Sequence, residues 1–145
     1  MEDVSSSGLR YLLDTNIVSE LSRTIPDPNV EKRIRNWQPR CAVAVITLEE
    51  LAFGVYRLPD GVRRSLLAGW LEDMRAAFVT LPYSAAAALW LGRERVRLST
   101  SGRALSRADG EIAAIAVQND LTLVTRNLSD FQHIAGLRTE NWFEA

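Results

Sequence analysis

The chain has 145 residues, of which 47% are hydrophobic and 24% charged, and its formal net charge is −1. This length predicts a single domain over residues 9–142 behind a flexible tail at 1–8, with enough chain to bury a core without disulfides. The composition excludes disordered and collagen-like classes. No apolar run approaches the ~20 residues that span a bilayer, so we expect no association with a membrane.

Histidine and cysteine are scarce, which removes several chemistries. The chain has one histidine, His133, and one cysteine, Cys41. A zinc site of His and Cys ligands cannot be assembled within one chain, and a hydrolase with a nucleophile–histidine pair would depend on His133 alone. A lone cysteine cannot form an internal disulfide, and the polar N-terminus does not resemble a signal peptide, so the cytoplasm is the expected compartment.

Apolar runs alternate with amphipathic patterns along the chain, which predicts strands and helices in turn. The strands are expected at residues 9–13, 41–46, 78–81, 121–125 and 136–139. The helices are expected at residues 17–21, 30–37, 48–55, 62–77, 84–98 and 106–119, the first of them capped by Asn16. This order predicts an α/β fold, a three-layer α/β/α sandwich with a mostly parallel sheet of about five strands.

Four acidic residues lie where such a sheet binds its ligands. Asp14 directly follows the first strand, and Asp130 comes shortly after the fourth. Glu50 and Asp109 are expected in the first turns of helices that begin at the same edge. Because ligands of open α/β sheets bind beyond the carboxyl ends of the strands, we expect the four carboxylates to share one cleft. Their mutual repulsion would make a divalent cation the natural occupant of that cleft.

Three of these acids also fit a purely structural interpretation. The segments 47–50, 106–109 and 127–130 match or approach the pattern of a helix capping box, and an acid in the first turn favours the helix dipole. Asp14 fits this interpretation least, because Asn16 is available as the cap. The coincidence of all four acids at one edge favours a shared site over four separate caps.

Arginine supplies nearly all of the positive charge, since Lys32 is the only lysine among 17 basic residues. Five arginines lie between residues 93 and 107, shortly before Asp109. Arginine binds phosphate in a bidentate manner, so Arg103, Arg107 and Arg126 are candidate contacts for the phosphates of a nucleic acid. A solvated helix face, in which Glu94 pairs with a neighbouring arginine, is an equally open interpretation.

Four sequence blocks resemble, in order and spacing, the motif blocks of PIN-domain proteins, most of all the VapC-type toxins of the FitB-like branch. The blocks are LLDTNIVSEL, VITLEELAFG, RADGEIAAIA and LTLVTRNLSDF. The resemblance implies the toxin of a type II toxin–antitoxin system, a metal-dependent endoribonuclease that hydrolyses RNA with Mg²⁺, or alternatively Mn²⁺. It further implies a homodimer, neutralisation by a cognate antitoxin, and contact with DNA only through that antitoxin.

The resemblance also assigns roles to particular positions. By motif position, Asp14, Glu50 and Asp109 correspond to the acids that hold the metal. Either Asp130 or Asn127 would complete the catalytic set. The supporting polar residues of the same motifs are Thr15, Asn16, Thr125 and Asn127.

Other classes with acids at strand ends fit less well. A receiver domain needs a lysine near its last strand, a phosphatase of the haloacid dehalogenase type needs an acid where residue 16 is Asn, and a dinucleotide binder needs glycines after the first strand. The remaining alternative is a non-catalytic PIN protein that acts in a DNA-bound repressor complex with its antitoxin.

Overall fold

A computed structural model describes residues 8–144, which form a parallel sheet between two layers of helices. The strands are β1 (Tyr11–Leu13), β2 (Cys41–Ala44), β3 (Val79–Leu81), β4 (Thr122–Val124) and β5 (Arg138–Glu140). Their order is β3-β2-β1-β4-β5, and each neighbouring pair is parallel. The predicted α/β class and the five-stranded parallel sheet are confirmed. The tail expected at 1–8 lies outside the described residues except for Gly8.

The helices connect these strands. They are α1 (Thr15–Glu20), α2 (Pro28–Trp37), α3 (Val45–Tyr56), α4 (Val62–Ala77), α5 (Ala85–Thr100) and α6 (Arg107–Gln118). Short 3₁₀ turns lie at Gln38–Arg40 and Leu128–Asp130. Within residues 8–144, no helix combines the length and the apolar character needed to cross a membrane.

Helices cover both faces of the sheet, and neighbouring residues of a strand point to opposite faces. Leu13 packs with residues of α1 to α4 in one apolar cluster, whereas Leu12 packs with α5 and α6 in another. Trp142 belongs to the first cluster, where it is fully buried and meets Tyr11 edge to face, with the ring centroids 5.0 Å apart. Burial of both faces explains why β1 and β2 read as continuous apolar runs, whereas the edge strands β3 and β5 are partly exposed.

The predicted second strand, 41–46, is wrong at its C-terminal end. β2 stops at Ala44 and α3 begins at Val45, although Val and Ile favour strands. Ile46 instead packs into the core from the first turn of α3. Glu50 is therefore not in the first turn, and segment 47–50 is not a capping box, because Ala44 occupies the cap position without a side-chain hydrogen bond.

An ion pair on α5, between the half-exposed Arg97 and the buried Glu94, also hydrogen-bonds to the connection between β4 and β5. Glu94 is 6% exposed, and its carboxylate accepts hydrogen bonds from the Arg97 guanidinium and from the Ala135 backbone N–H, the latter at 2.9 Å. Arg97 also donates to the His133 carbonyl at 2.7 Å. These bonds span more than 30 residues of sequence. They hold the segment that follows Asp130 against α5.

Replacement of Glu94 by Gln should lower the free energy of unfolding by about 1–2 kcal/mol at neutral pH, because charge-assisted hydrogen bonds are lost. The hydrogen bond from Arg97 lowers the pKa of Glu94 below its ordinary 4.5. The stabilisation is therefore complete above pH 4.5 and is lost as the pH falls through the lowered value. Urea unfolding between pH 3 and 7 should show a weaker acid dependence in E94Q.

Glu72 provides a matched control. It forms an ion pair with Arg75 at the same three-residue spacing, but both side chains are about two-thirds exposed. E72Q should change the free energy of unfolding by less than about 0.5 kcal/mol. Equal effects of E94Q and E72Q would contradict a structural role for the Glu94 pair.

Candidate active site

Asp14 lies at the junction of β1, β4 and α1. One carboxylate oxygen accepts from the Thr15 backbone N–H at 2.8 Å, and the other accepts from the Thr125 hydroxyl, also at 2.8 Å. Asp14, not Asn16, is thus the cap of α1, and that prediction is wrong. The reason is that the helix begins immediately after the strand, which leaves Asp14 alone in the extended cap conformation. Asn16 lies inside α1 and accepts from the Arg126 backbone N–H at 3.2 Å.

Glu50 reaches the same edge from the second turn of α3. Its side chain is exposed, and its carboxylate accepts a hydrogen bond from the Thr15 hydroxyl. The Thr15 hydroxyl oxygen also lies 3.3 Å from that of Thr47, which is fully buried. Thr15 therefore joins α1 to α3 and orients Glu50 towards the end of β1.

Asp109 is in the first turn of α6, as predicted. Its backbone N–H donates to the Ser106 hydroxyl oxygen at 3.2 Å, which is the expected cap of this helix. The cap and the acidic site therefore coexist: the backbone of Asp109 serves the cap, and its carboxylate faces the cleft that it lines with Asp130. Asp130 itself lies in the turn after β4 and is exposed.

The acids act on one another through their charges. Burial raises the pKa of Asp14; the negative charges of Asp109 and Glu50 add to this, while hydrogen bonds from Thr125 and Thr15 oppose it. Burial likewise raises the pKa of Asp109; a hydrogen bond from Ser106 opposes this, and the charges of Asp130 and Glu50 add to it. The structure thus places Asp14 and Glu50 beside Thr15 at the end of β1, and Asp109 and Asp130 in one cleft. A single site that holds all four acids stays a prediction.

The polar residues after β4 have different roles. Thr125 is fully buried and orients Asp14, whereas Asn127 supplies its backbone N–H to the Thr125 hydroxyl oxygen at 3.1 Å. Asp130 lines the same cleft as Asp109, and Asn127 does not, so the cleft favours Asp130 over Asn127 as the residue that accompanies Asp109.

The donor set fits a hard divalent cation better than zinc. Among residues 8–144, no three Asp, Glu, His or Cys side chains form a group that could hold a metal ion. Mg²⁺ does not need three such side chains, since it keeps several waters and is usually held by one or two carboxylates. Asp14 and Asp109, whose ionised forms are disfavoured by burial and by like charges, would gain most from a cation.

The candidate RNA-binding arginines differ in what they contact. Arg107 pairs with Glu111 at 3.1 Å, and the Arg126 guanidinium lies 4.2 Å from the centre of the Phe143 ring. Arg97, in the same arginine-rich segment, forms an ion pair with Glu94, as the alternative interpretation expected. Arg103 lines the cleft that contains Asp109 and forms no ion pair with any described carboxylate. Arg103 is therefore the arginine best placed to meet a phosphate near the acids.

The sequence around His133 does not indicate a place in the site. The side chain is exposed and lines the same cleft as Asp109 and Asp130. No local pattern marks this position. Only the path of the chain after β4, fixed by the Glu94 and Arg97 contacts, brings His133 to the cleft.

A parallel sheet with a cluster of acids at the carboxyl ends of its strands is the arrangement that the sequence blocks suggested. The family model described as "PIN domain" matches residues 11–137. The chain belongs to the PIN-domain family and, within it, to the VapC group, to which it is more than 30% identical over nearly its whole length. This confirms the resemblance drawn from the motifs.

Individual relatives support this placement. The tRNA(fMet)-specific endonuclease VapC of Shigella flexneri is 33% identical over 136 residues, which cover 92% of this chain and 98% of the relative. The crystal structure of FitAcB from Neisseria gonorrhoeae matches with a TM-score of 0.86 and 31% identity, over 93% of this chain and 99% of its counterpart. The structure of DNA-bound VapBC from Salmonella typhimurium matches with a TM-score of 0.82 and 27% identity, over 92% and 98% of the two chains.

Two substitutions of Asp14 should separate its capping role from its charge. Asp14→Ala removes the cap of α1 and should lower the free energy of unfolding by about 1 kcal/mol. Asp14→Asn keeps a capping oxygen and removes a buried charge beside two other acids, so in metal-free buffer it should be at least as stable as the unmodified chain. Urea unfolding in the presence of EDTA measures both; equal destabilisation by Ala and Asn would contradict the capping role.

Proposed function

We propose that the protein is a metal-dependent endoribonuclease that acts as the toxin of a type II toxin–antitoxin system. The observation that carries this proposal is that Thr15 holds both Asp14 and Glu50, through its backbone N–H and its hydroxyl, at the edge of the sheet where ligands bind. The names of the relatives support this function, since the Shigella flexneri protein is described as an endonuclease and the Neisseria gonorrhoeae protein FitB as a toxin.

Each acid has a role in this proposal. Asp14, Glu50 and Asp109 would hold Mg²⁺ or Mn²⁺, and Asp130 would complete the set or orient a water molecule. When bound, the cation supplies an activated water, charge relief on the phosphate and stabilisation of the leaving alkoxide. Cleavage in line would leave a 5′-phosphate and a 3′-hydroxyl.

The surrounding polar residues prepare these acids for the reaction. Thr125 and the Thr15 backbone bind both oxygens of Asp14, so the carboxylate is held in one orientation at the end of β1. The Thr15 hydroxyl holds Glu50 in the same way. Such support lowers the cost of ordering the carboxylates when a cation arrives. Arg103 would bind a phosphate of the RNA at the entrance to the acids.

The partners that we propose for this chain are based on the complexes in which similar proteins were solved. Several similar structures are complexes named VapBC or FitAB, and some contain DNA. We propose that this chain is likewise neutralised by a cognate antitoxin and meets DNA only through it, and that it forms a homodimer in the cytoplasm. A purely regulatory role in the repressor complex is the competing function, and it requires no cleavage by the free chain.

Cleavage of RNA separates these functions. The purified chain should cleave single-stranded RNA in the presence of Mg²⁺ or Mn²⁺ and should be inactive in EDTA. Asp109→Asn should reduce kcat/KM by at least ~100-fold, because a direct metal contact is lost. Asp60→Asn is the control, since Asp60 lies in an exposed turn with its side chain 98% accessible, and it should be fully active.

Metal binding can be measured without activity. A saturating concentration of Mn²⁺ should raise the Tm of the unmodified chain, as any ligand of the native state does. The rise should be lost in D109N and kept in D60N. Metal-independent cleavage, or full activity of D109N, would contradict the assignment of the acids. Metal binding without cleavage of any RNA would favour the regulatory role.

A further inference from the structure

We propose that the cleft between the α5–α6 loop and the β4–β5 connection is a nucleotide subsite. It would hold the base and the phosphate of the nucleotide next to the scissile bond of a single-stranded RNA. This inference rests on the proposed ribonuclease function and deepens it, because it says where the substrate lies beyond the acids and which side chains determine the nucleotide preference.

The position and size of the cleft are the first argument. Residues 102–106 form one side, residues 129–134 apart from the buried Phe131 form the other, and the cavity volume is about 490 Å³. Small-molecule sites usually lie between about 300 and 1,000 Å³, so a single nucleotide fits. Asp109 and Asp130 both line the cleft. A chain bound there would therefore continue directly to the acid cluster.

The chemistry of the lining matches a nucleobase, which has two apolar faces and a polar edge. The partly exposed side chain of Leu105 gives the cleft apolar surface, and Leu98 and Ile134, 4% and 6% exposed, lie beneath it. Gln132 and His133 stand on its polar rim, where the Gln132 amide nitrogen lies 3.1 Å from His133 Nε2. Proteins bind unpaired bases by stacking on rings such as imidazole and by hydrogen bonds to the base edge. We assign the stacking to His133 and the edge contact to Gln132.

Arg103 supplies the phosphate contact. It leaves α5 through a Schellman motif, in which the Arg103 N–H donates to the Leu98 carbonyl and the Gly102 N–H donates to the Ser99 carbonyl. Gly102 has φ +73, a left-handed conformation that favours glycine. The backbone of Arg103 is therefore fixed at the mouth of the cleft, while its side chain, without an ion pair among the described residues, remains available to a phosphate.

The opposite side of the cleft is held in place before any ligand binds. Arg97 fixes the His133 carbonyl, and Glu94 fixes the Ala135 N–H. Phe131 and Ile134 anchor the same segment in the core, where they are 2% and 6% exposed. A wall fixed at four points costs little conformational entropy on binding, which is a property of a binding site rather than of a loose surface loop.

Cleavage of a randomised single-stranded RNA, with the products mapped by sequencing, tests the base contacts. His133→Ala and Gln132→Ala should each weaken the nucleotide preference at one position beside the cut by at least about threefold, as expected when a stacking or edge contact is lost. Gln118→Ala is the matched control, because Gln118 is exposed at the far end of α6. The cleavage pattern of this variant should equal that of the unmodified chain.

The phosphate contact has its own measurement. Arg103→Ala should raise KM about tenfold with little change in kcat, and the dependence of log(kcat/KM) on log salt should flatten by about one unit. Arg35→Ala, at an exposed arginine of α2, should change neither quantity. A fall in kcat alone would contradict a binding role for Arg103.

Direct binding can be observed at His133, because it is the only histidine in the chain and gives a unique imidazole NMR signal. In the Asp14→Asn variant, a ten-nucleotide RNA of the preferred sequence should shift that signal, and the shift should be lost when Gln132 is also replaced by Ala. An unmoved signal while fluorescence anisotropy reports bound RNA would overturn the subsite.

The two proposals fail in different ways. If the unmodified chain cleaves no RNA and the Asp14→Asn variant binds none, the ribonuclease function itself is wrong. If RNA is cleaved but the Gln132 and His133 variants keep the same preference and the imidazole signal does not move, only the subsite is wrong.

Discussion

The hydrogen bonds to the Asp14 carboxylate hold the site together. Asp14 ends the central strand, caps α1 through the Thr15 backbone and accepts from Thr125 at the end of the neighbouring strand. A carboxylate buried in this way is costly unless its oxygens are satisfied. The parallel sheet brings the donors to one edge, and the same geometry leads Glu50 and Asp109 there. The charge that destabilises the isolated chain at this point is the charge that a cation would neutralise.

This arrangement explains how a chain with a net charge of −1 can bind a nucleic-acid substrate. The acids lie at the ends of β1 and β4 and in the first two turns of the neighbouring helices, whereas five arginines lie between residues 93 and 107, in α5, the loop after it and the start of α6. Two of these arginines are engaged locally, Arg97 with Glu94 and Arg107 with Glu111. Arg103 alone among the candidate RNA contacts lies in the cleft beside Asp109. Overall charge is thus a poor guide to the local fields that a phosphate would meet.

Helix caps and catalytic candidates overlap in this fold, and neither interpretation excludes the other. Asp109 uses its backbone for the Ser106 cap and its carboxylate for the cleft. Asp14 is itself the cap that the sequence assigned to Asn16. The reason is geometric: helices that begin at the carboxyl ends of parallel strands point their N-termini at the ligand edge, so first-turn residues cap the helix and face the site at once.

Local patterns in the sequence determined the type and order of the elements and the approximate edge at which the acids gather, because apolar periodicity and strand order depend on neighbours in the chain. Predictions from these patterns were wrong where contacts between residues far apart in sequence determine the structure. Val45 and Ile46 favour a strand but lie in α3, since packing of Ile46 against the far helices outweighs local propensity. Leu66 is one of the apolar residues of segment 62–77, yet it is 70% exposed. The cleft wall that carries His133 could be known only from the tertiary structure, because Glu94 and Arg97, more than 30 residues away in sequence, hold it in place.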